Sequence, residues 1–158
     1  MEKKKIFILI FLILIFTFLV FTFSIFFEKE RIKLEREETI TDFSNSLIPE
    51  EIRPIKETHR YFNYKGERIY ICKIIFSDEK RAEDFYKFME ENEAKIKEIK
   101  FEKVNVNFEN FSGSKYIYHE IQNSRIAFLL RNGEIVIIAN GKNEKNLDKI
   151  IPWFLKRY

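Results

Sequence analysis

The spacing of apolar positions changes along the chain, and each change marks an element. Residues 6–27, IFILIFLILIFTFLVFTFSIFF, show no period at all, with Thr17, Thr22 and Ser24 as their only polar members. At about 1.5 Å per residue such a helix reaches about 33 Å, enough for a hydrocarbon core of about 30 Å. The pattern predicts a transmembrane helix, preceded at residues 1–5 by a basic tail that carries Lys3, Lys4 and Lys5. The run exceeds the apolar stretch of about 7–15 residues in a cleaved secretory signal, and no Cys follows it. A retained, single-pass signal-anchor is therefore expected.

Residues 28–54 read as a helical stalk and linker. Ile32, Ile40, Phe43 and Leu47 fall near one helical stripe, charges of both signs alternate around it, and Pro49 and Pro54 break the pattern. A globular domain at residues 55–158 follows.

Within that domain the period shortens to two. Thr58–Tyr64 and Arg68–Phe76 are rich in aromatic and β-branched residues around a tight turn at Lys65-Gly66-Glu67. Ser77 reads as the N-cap of a helix whose apolar stripe is Ala82, Phe85, Met89, Ile96 and Ile99. Val104, Val106 and Phe108 then alternate with polar residues, which predicts a half-exposed edge strand. Ser112-Gly113-Ser114 reads as a turn before a strand over Lys115–Gln122. The runs IAFLL and IVIIA flank the hairpin signal Asn132-Gly133, and both need cover on both faces. A last helix, about Asn143–Arg157, directs Leu147, Ile150, Ile151 and Phe154 inward, with a kink or break expected at Pro152.

The expected fold class is α+β: an N-terminal transmembrane helix, then about six mostly antiparallel strands in the order ββ-α-ββββ-α. The helices pack on the sheet, and the fully apolar strands favour a helix layer on each face. This element order is similar to that of the PsbP/Mog1-like sandwiches. The likeness is one of topology, and no motif transfers a residue role.

Composition sharpens the division between anchor and domain. The chain has 28 Lys+Arg and 25 Asp+Glu, a net of +3, but residues 28–158 hold 25 and 24, a net of +1. A nearly neutral domain argues against nucleic acid, and the cluster Lys95, Lys97, Lys100, Lys103 is interleaved with Glu93, Glu98 and Glu102. One Cys excludes an intrachain disulfide scaffold and a zinc ribbon. The three contiguous lysines favour an N-terminus inside and a domain outside the cytoplasm. Lys29, Arg31, Lys33 and Arg36 on the other flank leave the cytoplasmic orientation open.

Candidate chemistry is sparse. His59 and His119 are the only histidines, H-E-x-x-H is absent, and Cys72 sits in mid-strand where a thiol packs as a small hydrophobe. Phosphate loops, dinucleotide fingerprints and G-x-S-x-G elbows are missing. No catalytic residue, cofactor or metal is assigned. Tyr61, Tyr64, Tyr116 and Tyr118 are candidates for a binding surface, because tyrosine joins an apolar body to a hydroxyl. Asn110-Phe111-Ser112 is a glycosylation acceptor sequence. The expected function is a membrane-anchored, non-catalytic binding or complex-assembly module. Its partners would be the bilayer through residues 6–27 and a protein in the membrane or at the aromatic surface, in an unassigned oligomeric state. A small membrane-tethered enzyme and a structural subunit of a membrane complex are the alternatives.

Overall fold

The computed structural model describes residues 15–17, 31–44, 46–94, 101–119 and 125–158. Seven strands form one sheet: β1 (Lys33–Ile40), β2 (Lys56–Tyr64), β3 (Glu67–Ile75), β4 (Phe101–Phe108), β5 (Phe111–Tyr118), β6 (Arg125–Asn132) and β7 (Ile135–Gly141). Helix α1 (Glu79–Ala94) lies between β3 and β4, and α2 (Glu144–Arg157) follows β7. The spatial order is β1-β2-β3-β7-β6-β5-β4, antiparallel at every pairing. Two meanders thus meet at the β3–β7 seam. The chain leaves the centre after β3, passes through α1 to the far edge, and returns strand by strand.

This architecture corrects the expected one. The sheet has seven strands, and the additional one, β1, lies in the segment expected to be a helical stalk. Its side chains are exposed along nearly the whole length, so apolar burial does not hold it. Backbone pairing with the outer side of β2 does, assisted by charge contacts: Arg60 Nε donates to Glu37 Oε2 at 2.6 Å, and Asn63 Nδ2 to Glu35 Oε1 at 3.2 Å. An open edge on β2 outweighs a modest helical preference, because helix propensities differ by only about 0.7 kcal/mol per residue among ordinary residues. The expected transmembrane helix at residues 6–27 lies outside the described residues except for Ile15–Thr17, which are helical. Among the described residues, no helix is long and apolar enough to cross a membrane.

The helices pack on opposite faces of the sheet. One face buries Phe62, Ile69, Ile71, Phe128, Leu130 and Ile137 against Leu147, Ile150, Ile151 and Phe154 of α2. The other buries Cys72, Ile74, Phe76, Leu129 and Val136 against Ala82 and Phe85 of α1. Strands β6 and β7 are apolar on both sides because they run between these two layers. Pro152 does not end α2, which continues to Arg157. An interior proline costs about 3 kcal/mol, whereas burying four large apolar side chains contributes about 6–12 kcal/mol gross.

Helix caps and turns differ in detail from expectation. Asp78 caps α1, its Oδ1 accepting from the Arg81 N–H at 2.9 Å, while Ser77 Oγ donates to Asp78 Oδ2. Asn143 caps α2 by accepting from Asn146 N. The β2–β3 loop has two residues, Lys65 and Gly66, both with positive φ as a type I′ turn requires. In the β6–β7 loop Asn132 pairs with Ile135, so Gly133 and Glu134 make the turn. The β4–β5 loop places Glu109 at φ 53°, a left-handed conformation that costs a side-chain-bearing residue about 1–2 kcal/mol. Its ion pair with Lys156, 3.3 Å long and exposed, is worth less than about 1 kcal/mol. Glu109→Gly is therefore expected to stabilise the fold by about 0.5–1 kcal/mol, visible as a raised thermal midpoint.

Candidate functional site

The two-residue turn at Lys65-Gly66 sets the register of the first hairpin, and with it the main polar cluster. Residue pairs facing each other include His59 with Cys72 and Tyr61 with Tyr70. Glu57, two residues before His59, shares its face. His59 lies between two partners: Nε2 is 3.1 Å from Glu57 Oε2 and Nδ1 is 2.7 Å from the Tyr70 hydroxyl. The imidazole and the Tyr70 ring stack at 5.9 Å, and Tyr61 adds a second ring at 5.2 Å from Tyr70.

Cys72 lies beneath this group, 2% exposed. Burial pushes its thiol up to about 12, against the smaller opposing effect of the hydrogen bond with Tyr70. Burial also raises the Tyr70 phenol, with the neighbouring Cys72 adding to the effect. The thiol is therefore protonated at neutral pH, and both imidazole nitrogens are engaged. That arrangement lacks the thiolate and free base of a cysteine nucleophile. It does bring three metal-type side chains together. A ligand atom from each of Glu57, His59 and Cys72 lies within 4.8 Å of the other two.

A second polar cluster lies on the same face, where side chains from the later half of α1 reach β4 and β5. Glu90 Oε1 receives Lys103 Nζ at 2.8 Å, Ser114 Oγ at 2.9 Å, and the hydroxyls of Tyr86 and Tyr116 at 3.2 Å each. Burial raises the Glu90 carboxyl, but the hydrogen bonds from Lys103 and Ser114 outweigh it and hold the group below its ordinary value. Ser114 is 2% exposed, and its hydroxyl donates to a carboxylate instead of to a base that cycles protons. This cluster fastens α1 to the edge of the sheet.

An open cleft of about 560 Å³ lies at the other end of the hairpin, lined by Lys65, Gly66, Glu67, Arg68, Lys142, Asn143 and Asn146. Glu67 fills its floor. Its Oε1 accepts from the backbone N–H groups of Lys142 and Asn143, and its Oε2 from Asn146 Nδ2. Glu67 thus holds the segment leading into α2 from within the chain.

The residues singled out in the sequence are dispersed. Tyr64, Tyr116 and Tyr118 are only 1–3% exposed and belong to the core, so in this fold they offer no contact surface. Tyr64 packs in the layer beneath α2, the Tyr116 hydroxyl donates to Glu90 of α1, and Phe101 and Arg125 lie against the Tyr118 ring. Tyr61 is half-buried with the Arg68 guanidinium 4.7 Å from its ring centre. Asn110 is exposed in the β4–β5 turn. His119 stands at the end of β5, 3.1 Å from Glu102 and mostly exposed; β3, β7 and β6 separate its strand from that of His59. Glu57, Tyr70 and Glu90 were not foreseen. The hairpin register was the signal for the first two, while Glu90 depends on how α1 crosses the sheet. No family model, curated protein or solved structure matches the chain.

Proposed function

We propose that the chain is a non-catalytic binding or assembly module, held at a lipid bilayer by its apolar segment 6–27, which engages a protein partner by strand addition at β4. The observation that carries this reading is the open edge. Helices cover both faces of the sheet, and β4 is its last strand, with no further strand beyond it among the described residues. An outer strand presents unpaired N–H and C=O groups that template an added strand. The two edges differ in character. The opposite edge, β1, carries Lys33, Glu35, Arg36, Glu37 and Glu38 and an irregularity between Leu34 and Arg36, features that discourage pairing. On β4 charge is confined to Glu102 and Lys103, and Val104 is 41% exposed. Membrane attachment rests on the run at residues 6–27, and Lys3–Lys5 favour a domain outside the cytoplasm.

The test uses the full chain in its own membranes, with a photo-crosslinking residue at position 104. A discrete protein adduct is expected. Its yield should fall at least about tenfold when Asn105→Lys and Asn107→Lys place charge on the edge, with the thermal midpoint unchanged. An adduct indifferent to those charges, or no adduct, overturns the assignment.

A further inference from the structure

We propose that Glu57, His59 and Cys72 form a site for one divalent transition-metal ion of the zinc class, with Tyr70 positioning the imidazole. The ligand chemistry is the first argument. One carboxylate oxygen, one imidazole nitrogen and one sulfur make a borderline-soft set that suits Zn²⁺ and disfavours Ca²⁺ and Mg²⁺, which take oxygen ligands. Three protein ligands leave a fourth tetrahedral position for water or an incoming molecule.

Geometry is the second. The three ligand atoms already lie within 4.8 Å of one another. Bonds of about 2.0–2.1 Å at a tetrahedral angle put nitrogen and oxygen ligands about 3.3 Å apart. His59 Nε2 and Glu57 Oε2 are 3.1 Å apart. Closing the set around an ion requires an adjustment of about 1 Å.

The surroundings of the three ligands support the site as well. A ligating histidine usually hydrogen-bonds through its other ring nitrogen, which fixes ring orientation, and Nδ1 meets the Tyr70 hydroxyl at 2.7 Å. The ligands stand on two strands in continuous register from Lys56 to Tyr64, so the site is rigid before an ion arrives. Glu57 and His59 retain 13% and 20% side-chain exposure and provide the entry, with the thiol below. Glu38 of β1 faces His59 across the sheet, but its carboxylate is held by Arg36 at 2.8 Å. On binding, the Cys72 proton passes to solvent and the thiolate becomes a ligand. No electron is transferred.

Cobalt(II) is the probe, added to the full chain in detergent micelles and then displaced by Zn²⁺. One equivalent should bind and produce the intense near-ultraviolet absorption of a cobalt–thiolate bond. Cys72→Ser should abolish that band. Glu57→Gln and His59→Gln should each weaken binding by at least about tenfold, and Tyr70→Phe by about tenfold. Zn²⁺ should raise the thermal midpoint of the native chain more than that of Glu57→Gln, a substitution that leaves the core intact, at the same Zn²⁺ concentration. Absence of the band, or a band unchanged in both Glu57→Gln and His59→Gln, overturns the site. Neither outcome bears on strand addition at β4, where none of these residues lies.

Discussion

Replacing Gly113 with alanine is expected to lower the unfolding free energy by about 3 kcal/mol, and with valine to prevent folding. Gly113 lies within β5, paired with Leu130 of β6. A Cβ placed on it would stand 2.0 Å from the Leu129 carbonyl oxygen and 2.9 Å from the Leu130 Cα. Both atoms are backbone in a central strand that is buried on its two faces, so neither can rotate away. Relief requires prying β5 from β6, which sacrifices ladder hydrogen bonds and loosens Tyr116 and Ile117 beside them. By contrast, a Cβ on Gly66 meets nothing within 4 Å, and only the positive φ disfavours it. Urea unfolding of Gly113→Ala beside Gly66→Ala separates the two causes. Steric conflict predicts a loss at Gly113 about three times that at Gly66; equal losses would show that β5 yields without difficulty.

The same glycine shows what a sequence conveys about such a fold. Ser112-Gly113-Ser114 has turn composition, yet the turn is Glu109-Asn110, and the glycine is there because a neighbouring backbone presses close. Composition reports that a residue lacks a side chain, not why. The strongly periodic or fully apolar runs were legible: the stripe from Ala82 through Met89, the alternation over Val104–Phe108, and the two-sided strands around Gly133. Their burial is local arithmetic. Strand β1 was not legible, since Lys33–Ile40 has no apolar face and is recruited by the edge of β2. The site turned on a single residue of loop length. A three-residue loop at Lys65-Gly66-Glu67 would set His59 opposite Lys73; the two-residue loop sets it opposite Cys72. Glu90 was beyond reach for a different reason. Its partners come from α1, β4 and β5, and nothing in one dimension aligns them.

Removing the Glu90 carboxylate should have the second large effect, and its dependence on pH identifies the cause. Glu90→Ala leaves the Ser114 hydroxyl, itself 2% exposed, and the Tyr116 and Tyr86 hydroxyls without their common acceptor. A buried donor left unsatisfied costs about 1–3 kcal/mol. Partial exposure of Glu90 admits some water, and Tyr86 keeps Ser114 within 3.4 Å, so the expected loss is about 2–3 kcal/mol at neutral pH. Glu90 is held below its ordinary 4.5 in the folded chain. A carboxyl with a depressed folded value stabilises fully above its unfolded value and loses that stabilisation as pH falls through the folded one. The phenols act at the other limit. Burial raises Tyr116 and Tyr86 above their ordinary 10.0, so their contribution is complete below that value and declines as pH climbs beyond it. Glu90→Gln keeps the shape and one acceptor oxygen but removes the charge. Its urea midpoint should fall below that of the native chain at neutral pH and converge with it as the pH falls below the ordinary carboxyl value of 4.5 and the native carboxyl becomes protonated. A difference that stays constant across that range would show that Glu90 acts by packing, and that the four donors around it do not depend on its charge.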